Sequence, residues 1–195
     1  MMQIEAGKTG KAKGISTYNK LDRNDLLKVI DMEKEVALDS VLCNKETIPT
    51  CIKTKKLYFA GPWFTEKSAA FYDAILDISS NCDLFTYYQI FYPRCQVNKK
   101  PSDAFIKNVA NIQDADVVVA FVDEKDVGTA WEIGMAYSLG KKVILLGLDE
   151  TTFLSHTNVM LAFTGSCITL REFAKLLIGK EYKTIEIENN WEGIE

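Results

Sequence analysis

Residues 115–140 of this chain are ADVVVAFVDEKDVGTAWEIGMAYSLG, and this segment indicates the kind of sheet that the chain forms. Apart from Asp116 at its start, the run 116–122 is continuously apolar, which is typical of a strand buried on both faces. The residues after it predict a helix that begins near Gly128 and ends at Gly140, because glycine commonly terminates helices. A buried strand that leads directly into a helix is the repeating unit of a parallel sheet.

The same alternation extends in both directions from this segment. Apolar runs predict further strands at residues 57–60, 84–92 and 142–148. Apolar residues at spacings of three and four predict helices that begin near Thr65, at a cap formed by Ser102, and at Leu170. Strand and helix therefore alternate throughout. We expect an α/β fold with a doubly wound parallel sheet and helices on both faces.

The chain before the first core strand has a different character. Residues 1–20 are rich in Gly, Lys, Thr and Ser without periodicity, which predicts a flexible arm. Residues 21–55 form a predicted helical extension, with one apolar stripe between Asp22 and Val41 that packs on the main domain or on a partner subunit. Residues 56–195 are expected to form a single well-buried domain.

Composition excludes several classes of protein. The 195 residues carry a net charge of −4, which argues against a protein that binds nucleic-acid phosphates. The five cysteines form no CxxC pair, so we expect reduced thiols and a cytoplasmic location. No apolar run is long enough to span a membrane. His156 is the only histidine, and it assembles neither a triad nor a metal cluster.

The fold indicates where chemistry should occur. In parallel sheets of this kind, ligands bind beyond the carboxyl ends of the strands. The segments expected there are 61–65, 92–103, 123–132 and 149–160.

Two acidic residues stand at the start of the helix after the central strand. Asp126 is placed to cap this helix, and Glu132 lies within its first turns. The positive end of the helix is expected to lower the pKa of Glu132 and keep it ionised. An ionised carboxylate can attack an anomeric carbon or stabilise an oxocarbenium-like transition state. The alternative is that both acids only stabilise the helix.

Three segments together resemble the nucleoside 2-deoxyribosyltransferase family: YFAGPWF at 58–64, DVGTAWEIG at 126–134 and NVM at 158–160. They occur in family order within residues 56–165. The resemblance implies a flavodoxin-like, five-stranded fold without a cofactor. It also implies ping-pong transfer of deoxyribose between nucleobases, through an ester between the sugar and the enzyme, in nucleotide salvage.

The resemblance also implies roles for individual residues. Glu132 matches the nucleophile, Asp126 an acid that holds the substrate, and Tyr58 a tyrosine of the pocket. Asn158 and Met160 match residues that reach a neighbouring subunit's site, which implies a homo-oligomer, a dimer or a dimer-based hexamer. The expected partners are deoxynucleosides and free nucleobases.

The residues after the first strand are candidates for the walls of the pocket. Gly61 ends the strand, and Trp63 and Phe64 can stack on a flat base and exclude water. Core packing is the alternative for both aromatic side chains. Trp131, next to Glu132, is either a pocket wall or a core residue.

One residue departs from the family pattern. Asn108 stands where many relatives carry an Asp that is thought to handle the proton on the leaving base. An amide can donate a hydrogen bond but cannot act as a general acid. Either Asp103 or Asp126 supplies the acid, or hydrogen bonding to the base suffices.

Two other functions remain open at this level. The first is an N-glycoside hydrolase of nucleosides or nucleoside 5′-monophosphates, in which water replaces the acceptor base. Relatives specific for monophosphates need hydroxyls or Arg near the first glycine, where this chain has Pro62, Trp63 and Phe64, so unphosphorylated nucleosides are favoured. The second is a catalytically silent nucleoside-binding or scaffold domain, although a pure binder needs no nucleophile.

Overall fold

The computed structural model describes residues 23–42, 53–62, 64–82, 88–91, 100–148, 150, 153 and 158–187. Trp63, His156 and the predicted arm at residues 1–20 lie outside the described residues. In chain order, the helices and strands are α1 (Arg23–Leu42), β1 (Lys55–Ala60), α2 (Glu66–Asn81), β2 (Tyr88–Phe91), α3 (Pro101–Asp114), β3 (Val117–Phe121), α4 (Val127–Ser138), β4 (Lys142–Gly147), α5 (Val159–Ala162), β5 (Ser166–Thr169) and α6 (Leu170–Leu177).

The five strands form one parallel sheet in the order β2-β1-β3-β4-β5. Tyr58 of β1 lies beside Val118 of β3, which in turn lies beside Val143 of β4. This confirms the predicted α/β fold. The sequence patterns did not locate β5, because its residues Ser166–Thr169 are short and half polar.

Helices cover both faces of this sheet. Successive side chains of a strand point to opposite faces, so Leu57 and Phe59 join one core and Tyr58 and Ala60 join the other. The first core lies under α1, α2 and α6, and the second under α3, α4 and α5. Tyr58 therefore faces the helices that follow β2 and β3.

The predicted helix of the N-terminal extension is present as α1 and packs on α2 and α6. Ile30 and Ala37 of α1 are fully buried in the first core. Arg171 of α6 donates two hydrogen bonds to the Glu33 carboxylate, at 2.6 and 2.9 Å. Apolar contact and a bidentate ion pair thus hold α1 to the sheet-forming part of the chain.

The helix ends follow the sequence with one exception. Thr65 caps α2 through a reciprocal pair with Ser68, and Gly140 follows α4 with a φ of +66°. The prediction that Ser102 caps α3 is wrong, because the helix begins one residue earlier at Pro101. Proline is favoured at the first helical position, and the capping residue Lys100 makes no side-chain hydrogen bond. No helix among the described residues is long and apolar enough to cross a membrane.

Candidate active site

Asp126 and Glu132 are positioned by the turn from β3 into α4. Asp126 caps the helix, and its Oδ2 accepts hydrogen bonds from the Thr129 backbone N–H at 2.7 Å and from the Thr129 hydroxyl at 2.9 Å. Lys125 adopts a left-handed conformation, with a φ of 49°, immediately before the cap. Because α4 begins at Val127, Glu132 lies in its second turn, near the carboxyl edge of the sheet.

Side chains from two elements, β1 and α3, converge on the carboxylate of Glu132 in α4. The hydroxyl of Tyr58, a buried residue of β1, donates a hydrogen bond of 2.6 Å to Glu132 Oε1. The Asn108 amide of α3 donates a weaker bond to the same oxygen, at 3.4 Å. The structure therefore brings together three residues that the sequence places far apart, and the amide faces the nucleophile candidate directly.

Burial raises the pKa of Glu132 to about 7. The hydrogen bonds from Tyr58 and Asn108 oppose this shift, and the negative charge of Asp126 adds to it. The expectation that the helix end would lower this pKa is wrong. The effect of the helix dipole fades beyond the first turn, and desolvation of a carboxyl group held against the sheet outweighs it.

Burial also raises the pKa of Tyr58 far above its usual range, with further contributions from the charge and the hydrogen bond of Glu132. Tyr58 therefore keeps its proton at physiological pH and remains a hydrogen-bond donor to Glu132. Near neutral pH, only Glu132 of this pair therefore changes its protonation state. A carboxyl group with a pKa in this range is a candidate for a functional group.

The model of the nucleoside 2-deoxyribosyltransferase family matches residues 57–187, which include Tyr58, Asn108, Asp126 and Glu132. The chain belongs to this family. No curated protein gives a significant match.

Solved structures of enzymes resemble this member of the family. A 2-deoxyribosyltransferase from Bacillus psychrosaccharolyticus superposes with a TM-score of 0.51 at 24% identity, covering 66% of this chain and 99% of that one. A 2-deoxyribosyltransferase from Leishmania mexicana gives 0.40 at 25% identity, covering 49% and 65%. A CMP N-glycosidase from Clostridium botulinum gives 0.42 at 18% identity, covering 60% and 87%. The first likeness supports the shared fold.

The aromatic side chains predicted as pocket walls that the structure describes are exposed rather than buried in the core. Phe64 is 86% exposed, so the core-packing alternative is wrong for it, and Gly61 is half-buried. Trp131 is also exposed and packs against Phe105 of α3, with ring centroids 5.5 Å apart. Trp63 lies outside the described residues. An exposed aromatic surface thus lies next to Glu132 on α4.

Asn158 and Met160 form part of a second surface. The Asn158 side chain caps α5 by accepting a hydrogen bond from the Met160 backbone N–H at 2.8 Å. The Met160 side chain is 76% exposed. This hydrogen bond of Asn158 stays within the turn of α5, whereas the hydrogen bonds to Glu132 come from Tyr58 and Asn108.

The sequence patterns did not predict a role for two residues that hold other side chains near the candidate site. Thr129 is 3% exposed and supplies both donors to Asp126. Asp123 has a side chain only 5% exposed, accepts a bond from the Leu148 backbone N–H, and pairs with Lys67 of α2 at 3.4 Å. Asp123 could have been predicted from the sequence, because it is an acidic residue directly after a buried strand. Within the described part of the chain, no group of three or more His, Cys, Asp or Glu residues could hold a metal ion.

Proposed function

We propose that this protein transfers 2-deoxyribose between nucleobases through a covalent ester on Glu132. The observation that carries the proposal is the hydrogen bond of 2.6 Å between Tyr58 and Glu132, at the edge of the sheet where ligands bind in this fold. Membership in the nucleoside 2-deoxyribosyltransferase family supports the same chemistry. The substrates are deoxynucleosides and free nucleobases, and no cofactor takes part.

The reaction has two halves. The Glu132 carboxylate attacks the anomeric carbon, the bond from this carbon to the base nitrogen breaks, and its electron pair leaves with the base. A nitrogen of the second base then attacks the same carbon, the ester C–O bond breaks, and the carboxylate is regenerated. The leaving base takes up one proton and the incoming base releases one, so the exchange is balanced.

The environment of Glu132 fits the role of nucleophile. Its pKa of about 7 leaves a substantial ionised fraction at neutral pH while keeping the carboxylate basic. Tyr58 and Asn108 both bind Oε1, so Oε2 is the oxygen that attacks in this proposal. Holding the carboxylate from two sides limits its motion, which favours attack geometry.

Asp126 and Asn108 act on opposite parts of the substrate in this mechanism. Asp126 accepts hydrogen bonds from the sugar hydroxyls. Asn108 steadies Glu132 and donates a hydrogen bond toward the leaving base, because an amide has no proton to transfer. In this proposal, hydrogen bonding at Asn108 replaces protonation by an acid.

The proposal includes a second copy of the chain, whose Asn158 and Met160 complete the site. Exposed apolar side chains on α3, α4 and α5 support this assembly: Phe105, Ile106, Val127, Trp131, Met160 and Phe163. Phe105 and Trp131 are in contact with each other, and an exposed apolar surface of this kind favours contact with another protein surface. The Cys167 thiol supports a cytoplasmic setting, since it is free and buried in the second core.

Hydrolysis of the same N-glycosidic bond is the second candidate function. Asn108 leaves this function open, because many relatives carry an Asp at this position and activation of the base differs between the transferases and the hydrolases. Water would then attack the ester in place of the acceptor base. Phe64 and Pro62, rather than hydroxyls or Arg, follow the first strand, so unphosphorylated nucleosides are the preferred substrates in this case as well.

One experiment separates these functions. Purified protein is incubated with thymidine or 2′-deoxyadenosine, with and without free cytosine, and the products are separated by chromatography. Transfer yields deoxycytidine only when cytosine is present, whereas hydrolysis yields free base and free deoxyribose without it. Protein that forms neither product would contradict both functions and favour a silent nucleoside-binding domain.

The Glu132→Gln variant tests the nucleophile. It should lose about 10³-fold or more of the transfer rate, because an amide does not form the ester. Glu186→Gln, an identical change at an exposed carboxyl group, is the matched control and should leave the rate unchanged. Intact mass spectrometry after rapid acid quenching should detect one added deoxyribosyl group on the wild type and none on Glu132→Gln.

A further inference from the structure

The Asp126 carboxylate is held by a side chain to which neither the sequence pattern nor the family resemblance assigns a role. Thr129 donates its backbone N–H and its hydroxyl to Oδ2 of Asp126, at 2.7 and 2.9 Å. The Thr129 side chain is almost completely buried, whereas Asp126 is half-buried. One oxygen of the carboxylate is therefore bound twice by a residue that water does not reach.

Helix capping accounts for only one of these two bonds. A capping carboxylate needs the backbone N–H, and any residue at position 129 other than proline would supply it. A threonine hydroxyl inside a helix commonly bonds a backbone carbonyl of the preceding turn. In this chain it is directed instead to the acid of the candidate site. The hydroxyl therefore adds orientation that the helix does not require.

Gly128 leaves the space that the same oxygen occupies. A Cβ atom at this position would lie 3.0 Å from Asp126 Oδ2, which is closer than an ordinary contact. The chain thus approaches Oδ2 from two adjacent residues, Gly128 and Thr129. Within the described residues, both hydrogen bonds to this carboxylate end on Oδ2, and Oδ1 accepts none of them.

We propose that Thr129 is a positioning residue whose hydroxyl fixes the Asp126 carboxylate, so that Oδ2 stays bound to α4 and Oδ1 is the oxygen that meets the sugar. The inference rests on the proposed function, since it concerns substrate binding at the same site. The negative charge of Asp126 contributes to the raised pKa of Glu132, so the orientation of Asp126 also affects the nucleophile. Thr129 acts through Asp126 and does not touch the substrate.

The Thr129→Val variant tests this role, because valine keeps the shape and the backbone N–H but lacks the hydroxyl. Loss of a hydrogen bond to a charged group should lower kcat/KM for deoxyribosyl transfer from thymidine to cytosine by about ten- to a hundredfold. Thr129→Ser restores the hydroxyl and should recover most of this loss. Ser138→Ala, which removes a hydroxyl from the exposed side of the same helix, should leave the rate unchanged.

A double-mutant cycle separates positioning from a general structural effect. In an Asp126→Asn background, Thr129→Val should have a much smaller effect on kcat/KM than in the wild type, because the two residues act as one unit. An equal effect in both backgrounds would overturn the proposal. Wild-type rates for Thr129→Val, or a loss that Thr129→Ser does not repair, would overturn it too.

A second readout does not depend on activity. Carbon-13 NMR titration follows the Glu132 carboxyl group, whose charged or hydrogen-bonding neighbours are Tyr58, Asn108 and Asp126. Release of Asp126 changes the distance of its charge from Glu132 and should therefore shift the pKa of Glu132 in Thr129→Val, whereas an unchanged pKa would overturn the proposal. A wild type that cleaves no nucleoside would contradict the proposed function instead, and this titration would still test the role of Thr129.

Discussion

The Tyr58 hydroxyl lies 2.6 Å from Glu132 Oε1, and this bond joins β1 to α4 across 74 positions of the sequence. It places a permanent donor against a carboxyl group whose pKa is about 7. Burial and hydrogen bonding act on this group in opposite directions. The balance between them determines how much of Glu132 is ionised at a given pH.

Tyr58→Phe should raise the pKa of Glu132. Loss of the phenol removes a hydrogen bond that lowers the pKa of Glu132, so the pKa should rise above about 7. The acidic limb of the kcat/KM profile should move to higher pH, and the rate at pH 7 should fall by about ten- to a hundredfold. Tyr182→Phe is the control, because its hydroxyl bonds only to the surface residue Lys142 among the described contacts. An unshifted acidic limb would contradict the assigned role of Tyr58.

Asn108→Asp should change the shape of the pH profile. The wild type needs one ionised group, Glu132, so its rate should rise through about pH 7 and then level off. The variant adds a carboxyl group that can protonate the leaving base only while it carries a proton, so a descending limb should appear at higher pH. Steady-state rates between pH 5 and 9 measure this change. Asn108→Ser, which introduces no titrating group, should keep the plateau.

Glu132→Gln should stabilise the protein in a pH-dependent way. The folded-state pKa of Glu132 is raised from 4.5 to about 7, so the folded protein binds more protons than the unfolded chain between these values. The free energy of unfolding of the wild type relative to Glu132→Gln should therefore fall as pH rises through this range, by up to about 3 kcal/mol. Urea unfolding at pH 4.5, 6 and 8 measures the difference. A constant difference would mean that the carboxyl group is not desolvated.

Subunit mixing tests whether Asn158 completes the site of a neighbour. Glu132→Gln and Asn158→Ala should each be nearly inactive alone. A mixed dimer of the two would contain one intact site, so an equal mixture should recover up to about a quarter of wild-type activity. Chromatography with light scattering confirms the assembly. No recovery in verified mixed dimers would place Asn158 in the site of its own chain.

Arg171→Ala should destabilise the contact between α1 and α6. The Glu33 side chain is 12% exposed, and without the bidentate partner its charge stays largely buried. Because Arg171 itself is half exposed, the expected loss is about 1–2 kcal/mol, less than for a fully buried pair. Thermal unfolding measures it. Lys28→Ala, in the exposed pair with Asp25, should have no measurable effect.

Short-range patterns in the sequence were sufficient for the fold class, for most of its elements and for part of the candidate site. The apolar run before residue 122 and the terminating Gly140 predicted β3 and α4 because strand burial and helix ends depend on adjacent residues. The cap at Asp126 followed from the same local rule. The patterns did not predict β5, because Ser166–Thr169 is half polar. They also placed the start of α3 at Ser102, although proline is favoured at the first helical position and the helix begins at Pro101.

The sequence by itself determined the strand–helix alternation and the place of Glu132 near the start of α4. Only the tertiary structure decided how Glu132 ionises, because its pKa depends on burial and on contacts from β1 and α3. The contact between Asn108 and Glu132 likewise joins two helices. Local propensities reach only a few residues along the chain, whereas desolvation and hydrogen bonding depend on which distant segments pack together.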